Sequence, residues 1–194
     1  MKNVTIIGLG VIGGSLGKAL RSRRPDLQVT GVDVSAETIV EAQERGIIHS
    51  GTTDAAHAVL AADLVFLAVP LGAMADTCRK IVPFLKKGAV VTDVGSTKNY
   101  VVKLMEDLLP PEVGFIGGHP MAGSEKWGLH GANELLFENA IYILTPTKNT
   151  NLETINTVKN IVECLGAKTI FLSPAEHDQK VAAVSHLQIG RAHV

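Results

Sequence analysis

Short apolar runs alternate with longer amphipathic segments along the whole chain. Seven of these runs have the length of strands, and Leu64–Val69 is apolar at every position, which is typical of a strand covered on both faces. The predicted strands are Val4–Leu9, Gln28–Asp33, Leu64–Val69, Ala89–Asp93, Gly114–Gly118, Ala140–Thr145 and Lys168–Leu172. The intervening segments have helical periodicity, and the predicted helices are Val11–Ser22, Ala36–Arg45, Leu71–Val82, Asn99–Leu108 and Leu152–Leu165.

Turn and capping residues support this division of the chain. Ser35 stands at an N-cap position, and Gly46 follows the helix that begins after it, as capping preferences require. Strands that alternate with helices indicate βαβ units, so we predict an α/β fold with a doubly wound, mostly parallel sheet. Residues 47–60 are expected to hold a minor strand and a small helix, and the later part of the chain to add antiparallel strands. The S-P-A-E sequence at residues 173–176 is a capping box, which predicts a further helix.

Composition and charge narrow the class of protein. The chain has 194 residues, with 18 Lys and Arg against 19 Asp and Glu and a net charge of −1, which argues against a nucleic-acid partner. No apolar segment approaches the roughly 20 residues of a membrane span, and no signal peptide precedes the first strand. The two cysteines, Cys78 and Cys164, form no metal-binding pattern and no disulfide framework. We therefore expect a cytoplasmic globular protein with no metal and no membrane partner.

A glycine-rich turn joins the first predicted strand to the first predicted helix. Gly8 allows the tight turn, Gly10 lets the backbone approach a pyrophosphate, and Gly13 permits close packing of the helix on the strand. The helix N-terminus supplies free N–H donors for phosphates. Asp33 ends the second strand, where a carboxylate accepts hydrogen bonds from a ribose diol and repels a 2′-phosphate. The pattern indicates a Rossmann-type site for NAD rather than NADP; a packing turn beside a surface aspartate is the alternative interpretation.

Other predicted strands end at the same edge of the sheet, where ligands bind in open α/β folds. The segment Ser96-Thr97-Lys98 follows one of them, and we expect it to meet the nicotinamide ribose or the substrate. Capping of the next helix by Ser96 or Thr97 is an alternative that does not exclude contact. The residues expected to bind the cofactor are Gly8, Gly10, Val11, Ile12, Gly13, Asp33, Val69 and Pro70.

His119 is the candidate catalytic base. Among the seven histidines it is the one that directly follows a predicted strand, and Gly118 and Pro120 flank it. Imidazole is the side chain best suited to accept a proton near neutral pH, which hydride transfer from an alcohol requires. A structural role is the alternative for any single histidine. The other histidines outside the chain's last segment, His49, His57, His130 and His177, are interpreted as surface or structural residues.

Four motifs occur in order: the glycine turn, D-V-G-S-T-K at 93–98, G-H-P-M-A-G-S-E at 118–125 and V-S-H-L at 184–187. Together they resemble the prephenate (or arogenate) dehydrogenase family of tyrosine biosynthesis. The resemblance implies NAD-dependent oxidative decarboxylation of prephenate to 4-hydroxyphenylpyruvate, in which loss of the carboxylate yields an aromatic ring. It also implies a small-molecule substrate and a homodimeric full-length protein.

The same resemblance implies roles for individual residues. His119 accepts the proton of the ring hydroxyl, and Ser96 hydrogen-bonds near that hydroxyl and helps to orient His119. Ser124 and Glu125 belong to the substrate site, where Glu125 matches an acidic gate residue; a solvated loop acid is the alternative. His186 matches the first histidine of the family's S-H-L-P-H motif and is also expected to bind substrate.

The chain departs from the family pattern near its end. Ile189 stands where the second histidine of the motif belongs, and the helical domain that supplies a carboxylate-binding arginine does not follow. Residues 189–194 also match the in-frame translation of a common sequencing adapter. We therefore expect an NAD-binding domain at 1–172, the first helix of a truncated dimerisation domain at 173–188 and a non-native tail at 189–194. Such a chain is expected to bind the cofactor but to lack part of the substrate site.

Three other functions remain open at this stage. One is arogenate dehydrogenase, because the residues that distinguish a keto from an amino side chain are expected in the helical domain. Another is a different Rossmann dehydrogenase, such as a 3-hydroxyacid or 6-phosphogluconate type; those families rely on a lysine in a later domain, so the motif around His119 argues against them. The last is a regulatory module that binds NAD without chemistry.

Overall fold

The computed structural model describes residues 1–124 and 126–191, with side chains described as far as Ala183. Eight strands and seven α-helices follow one another along this part of the chain. The strands are β1 (Asn3–Ile7), β2 (Gln28–Val32), β3 (Ser50–Thr52), β4 (Leu64–Leu67), β5 (Val90–Asp93), β6 (Gly114–Pro120), β7 (Ile141–Thr145) and β8 (Lys168–Phe171). The helices are α1 (Val11–Arg23), α2 (Ala36–Glu44), α3 (Ala55–Ala58), α4 (Leu71–Ile81), α5 (Asn99–Leu108), α6 (Leu152–Cys164) and α7 (Pro174–Arg191).

The strands form one sheet in the order β3-β2-β1-β4-β5-β6-β7-β8. Pairing is parallel from β3 to β6 and between β7 and β8, whereas β6 and β7 are antiparallel. The chain winds outward in one direction from β1 to β3 and in the other from β4 onward. The predicted doubly wound, mostly parallel Rossmann-type sheet is thus confirmed, and its switch point lies between β1 and β4, where ligands bind in such folds.

Both faces of the central strands are buried, as their apolar sequences predicted. Within β4, Leu64 and Phe66 pack into one core cluster with α1, α2 and α6, while Val65 and Leu67 pack into a second. The second cluster contains residues of α3, α4 and α5. Side chains alternate between the two faces of a strand, so a central strand of this fold must be apolar at every position.

The sixth strand is longer than predicted. It was expected to end at Gly118, which would place His119 just beyond it, but β6 continues to Pro120. Its first half pairs with β5 and its second half pairs with β7, where His119 lies opposite Ile143. The extension arises because the antiparallel partner gives residues 117–120 a hydrogen-bonding neighbour after β5 has ended. The expectation that His119 follows a strand is therefore wrong: it lies within one.

The start of the last helix agrees with the predicted capping box. The Ser173 N–H donates to the Glu176 carboxylate at 2.9 Å, and the Glu176 N–H donates to the Ser173 hydroxyl at 3.3 Å. The helix then continues to Arg191, so residues 189–191 extend it, whereas the remainder of the expected tail lies outside the described residues. In the described part of the chain, no helix combines the length and the apolarity needed to cross a membrane.

A pair of helical glycines gives a test of this packing. A Cβ at Gly13 would collide with the carbonyl oxygen of Gly8, whereas a Cβ at Gly72, in the first turn of α4, would meet nothing within 4 Å. We expect Gly13→Ala to lower the free energy of unfolding by about 1–3 kcal/mol through overpacking. Gly72→Ala should instead leave it unchanged or raise it by up to about 1 kcal/mol. Urea denaturation measures both, and equal effects would contradict the packing role of Gly13.

Candidate dinucleotide and catalytic site

The turn after β1 has the geometry that the glycine pattern predicted. Gly8 has a φ of 97°, its N–H donates to the carbonyl of Val32 at 2.7 Å, and a Cβ there would collide with the carbonyl oxygen of Ala68. Only glycine adopts this conformation without strain. The turn therefore holds β1, β2 and the residue after β4 together at one edge of the sheet.

The N-terminus of α1 faces open space. Gly10 is the N-cap residue, and a Cβ at this position would meet nothing within 4 Å. The first intrahelical bond runs from the Gly14 N–H to the Gly10 carbonyl at 2.8 Å, so the N–H groups of Val11, Ile12 and Gly13 have no acceptor within the helix. The side chain of Ile12 packs against the core. This segment is suited to bind phosphate oxygens through backbone donors.

Asp33 links the glycine turn to the segment after β2. Its Oδ2 accepts the N–H of Leu9 at 2.8 Å, and its Oδ1 accepts the N–H of Ser35 at 3.1 Å. Each oxygen of a carboxylate accepts about two hydrogen bonds, so both retain capacity for a ribose diol. The carboxylate is thereby oriented before any ligand arrives.

A cavity of about 980 Å³ lies at this edge of the sheet. Five of the eight predicted cofactor residues line it, and Val34, Thr53, Asp54, Thr77 and Lys80 extend it away from the glycine turn. The five are Gly8, Gly10, Asp33, Val69 and Pro70. Free helix donors, an unobstructed Gly10 and a preoriented acid thus fit a dinucleotide.

A buried ion pair organises the neighbouring strand ends. Asp93 and Lys98 both have fully buried side chains, and the Lys98 ammonium donates to Asp93 Oδ2. The same carboxylate accepts the N–H of Gly95 at 2.8 Å and the N–H of Gly118 at 3.2 Å. It therefore ties the loop after β5 to the residue that precedes His119.

His119 lies at the same edge as the glycine turn, because β1, β4, β5 and the first half of β6 are parallel. Its ring is partly buried, and its Nδ1 lies 2.8 Å from His177 Nε2. Burial, with the neighbouring His177 and Lys98, lowers the pKa of His119 to about 4. The imidazole is therefore neutral at pH 7, and no described residue hydrogen-bonds to its Nε2.

Two residues of α7 that the sequence did not single out for function complete this arrangement. His177, which we interpreted as surface or structural, is fully buried and contacts His119, and its Nδ1 lies 2.7 Å from Asp178 Oδ1. Asp178 also accepts the N–H groups of Lys98 at 2.7 Å and Asn99 at 2.9 Å. The alternative interpretation, in which Ser96 or Thr97 caps α5, is thus wrong, because the cap is a carboxylate from another helix. In the sequence, the adjacent His177 and Asp178 in the first turns of the predicted last helix are the signal that could have pointed to this arrangement.

The remaining predicted site residues are Ser96, Ser124, Glu125 and His186. Ser96 is exposed beside Lys98, but in the described part of the chain the hydrogen bond that orients His119 comes from His177 and not from Ser96. Ser124 is exposed, and its hydroxyl accepts the N–H of Lys126 at 3.1 Å. Glu125 and the side chain of His186 lie outside the described residues. Within the described residues, no cluster of three or more His, Cys, Asp or Glu side chains is arranged to hold a metal.

Fold and site together define a dinucleotide-binding α/β domain of Rossmann type. Residues 16–171 match the family described as prephenate dehydrogenase, nucleotide-binding domain. The chain belongs to this family, as the sequence motifs indicated.

Individual relatives agree with this assignment. Prephenate dehydrogenase from Bacillus subtilis is 37% identical over 94% of this chain, and the chain spans about half, 50%, of that protein. Synechocystis arogenate dehydrogenase has a TM-score of 0.89 at 38% identity, over 95% of this chain and 64% of its own. Prephenate dehydrogenase from Aquifex aeolicus, solved with hydroxyphenyl propionate and NAD+, has a TM-score of 0.86 at 37% identity, over 92% of this chain and 62% of its own.

The low pKa of His119 has a measurable consequence. In NMR titrations of the histidine ring nitrogens we expect His119 to take up a proton only near pH 4, below the ordinary value of about 6.5. Because the unfolded chain binds this proton first, the free energy of unfolding should fall as the pH drops from about 6.5 towards 4. His119→Asn should remove part of that slope, and an unchanged slope or a titration near 6.5 would contradict the burial argument.

Proposed function

We propose that this protein is an NAD+-dependent dehydrogenase that oxidises and decarboxylates prephenate to 4-hydroxyphenylpyruvate, with His119 as the catalytic base. The observation that carries the proposal is the neutral, oriented imidazole of His119 at the edge of the sheet that holds the dinucleotide cavity. A purely NAD-sensing module would have no need of a base there.

The cofactor site divides between backbone and side-chain groups. The N–H groups at the start of α1 hold the pyrophosphate, and Asp33 accepts the ribose hydroxyls. Bound NAD+ supplies a hydride acceptor. The positioning of Val69 and Pro70 along the same cavity suits contact with the cofactor beyond its pyrophosphate.

His119 performs the proton chemistry. Its Nε2 accepts the proton of the ring hydroxyl as the hydride leaves the carbon that bears it. When the C–C bond to the ring carboxylate breaks, the electron pair enters the ring and CO2 departs. The ring oxygen then recovers the proton from His119, so the base ends the cycle unchanged. Ser96 lies in the loop after β5, beside this reaction, and is proposed to bind the substrate hydroxyl.

The substrate is a ring alcohol with an acidic side chain, and two members of this class are candidates. The relative solved with hydroxyphenyl propionate supports the prephenate type, while the similarity to an arogenate dehydrogenase keeps the amino analogue as the second candidate. Ser124, Glu125 and His186 are proposed to contact the substrate. Residues from 173 onward are proposed to begin a helical domain through which the full-length protein dimerises.

Loss of the base should separate binding from turnover. We expect His119→Asn to leave the affinity of this chain for NAD+ unchanged in calorimetry, because His119 is not among the residues lining the dinucleotide cavity. In the complete reading frame it should lower the rate of NADH formation from prephenate by about 10²–10⁴-fold.

His130→Asn is the matched control, since the His130 side chain is 81% exposed and should leave both quantities unchanged. Turnover that survives in His119→Asn, or wild-type protein that forms NADH from neither prephenate nor arogenate, would contradict the proposal. A preference for arogenate would favour the second candidate substrate.

Asp33 should determine the choice of cofactor. We expect the chain to bind NAD+ more tightly than NADP+, and Asp33→Asn to narrow this difference by about tenfold, because the repulsion of a 2′-phosphate is lost. Asp26→Asn changes the net charge equally at an exposed site paired with Arg24 and should not alter the ratio. Tighter NADP+ binding by the wild-type chain would overturn the assignment.

A further inference from the structure

Three groups form a hydrogen-bonded series that ends at the candidate base. Asp178 Oδ1 lies 2.7 Å from His177 Nδ1, and His177 Nε2 lies 2.8 Å from His119 Nδ1. The two imidazole rings meet edge to face, with centroids 5.0 Å apart and an interplanar angle of 61°. His177 is fully buried, so water does not compete for its ring nitrogens.

The carboxylate at the end of the series is held in its ionised form. Burial acts against ionisation, but the N–H groups of Asn99 and Lys98 and the ring of His177 keep the pKa of Asp178 below its ordinary value. These N–H groups lie at the N-terminus of α5, where the helix dipole also favours a negative charge. Asp178 is therefore an acceptor only.

The ionised carboxylate of Asp178 determines which nitrogen of each imidazole ring carries the proton. With a single proton on His177, an acceptor at Oδ1 requires that proton to be on Nδ1, which leaves a lone pair on Nε2. That lone pair requires His119 to carry its proton on Nδ1, so the lone pair of His119 is on Nε2. The opposite arrangement would place a proton on His119 Nε2, and the ring could not accept one from a substrate.

We propose that Asp178 is a positioning residue that acts through His177 to hold His119 in the tautomer whose Nε2 accepts the substrate proton. The inference deepens the proposed function and rests on it for the role of Nε2. The same carboxylate caps α5 at Lys98, whose side chain is paired with Asp93. Asp178 thereby connects the loop that contains Ser96 with the protonation pattern of the base.

The tautomer can be measured without turnover. In ¹⁵N NMR of this chain, with signals assigned from His119→Asn and His177→Gln, the wild-type His119 should show an unprotonated Nε2 and a protonated Nδ1. Asp178→Leu removes the oxygen that accepts the His177 proton, so we expect the unprotonated Nε2 signal of His119 to be lost or strongly reduced. In the complete reading frame, the rate of NADH formation should fall by about 10²–10⁴-fold, as for other bases that lose their orienting carboxylate.

Three further variants separate positioning from stability. His177→Gln keeps an acceptor towards His119 and a donor towards Asp178, so it should preserve the wild-type tautomer, whereas His177→Phe should lose it. This pair of variants replaces Asp178→Leu if that variant does not fold. Asn151→Ala removes the cap of α6, where Asn151 accepts the Thr154 N–H at 2.8 Å, and should leave the His119 nitrogens unchanged.

The outcomes are distinguishable. A protonated Nε2 in the wild type, or an unchanged His119 spectrum in Asp178→Leu, overturns the positioning role. The expected spectra combined with unimpaired turnover in His119→Asn would leave the tautomer argument intact and reject His119 as the base.

Discussion

The burial of one carboxylate determines how the strand ends around His119 are arranged. Asp93 is fully inaccessible to solvent, and a buried charge is tolerated only when it is paired and hydrogen-bonded. Its partners are the Lys98 ammonium and the N–H groups of Gly95 and Gly118. The loop after β5 and the strand that carries His119 must therefore stay together, since separating them would leave Asp93 unpaired.

Lys98 extends this constraint to the last helix. Its side chain meets Asp93, while its backbone N–H meets Asp178. Groups from β5, β6, α5 and α7 thus converge on a few hydrogen bonds to the Asp93 and Asp178 carboxylates, and hydrogen bonds to an ionised acceptor are stronger than neutral ones. The dinucleotide cavity depends on a different feature, the glycine turn held by Asp33, so the cavity and the surroundings of His119 are stabilised by largely separate contacts.

The sequence predicted the parts of the site that are built locally. Gly8, Gly10 and Asp33 act through backbone conformation and through neighbours in one βαβ unit, so their spacing is sufficient to place them. The contact between His119 and His177 joins residues 58 positions apart, and no local pattern marks it. Asp178 resembles an ordinary acid in the first turns of a helix, and its role as the cap of α5 becomes visible only when both helices are in place. The end of β6 was mispredicted for the same reason, because its partner β7 lies more than twenty residues later.

The antiparallel pairing of β6 with β7 fixes the backbone of His119 but not the segment that follows Pro120. The backbone of His119 is locked into a ladder opposite Ile143, whereas the segment that follows contains exposed side chains, among them Trp127 at 89%. Substitutions after Pro120 can therefore change the surroundings of the imidazole without displacing it.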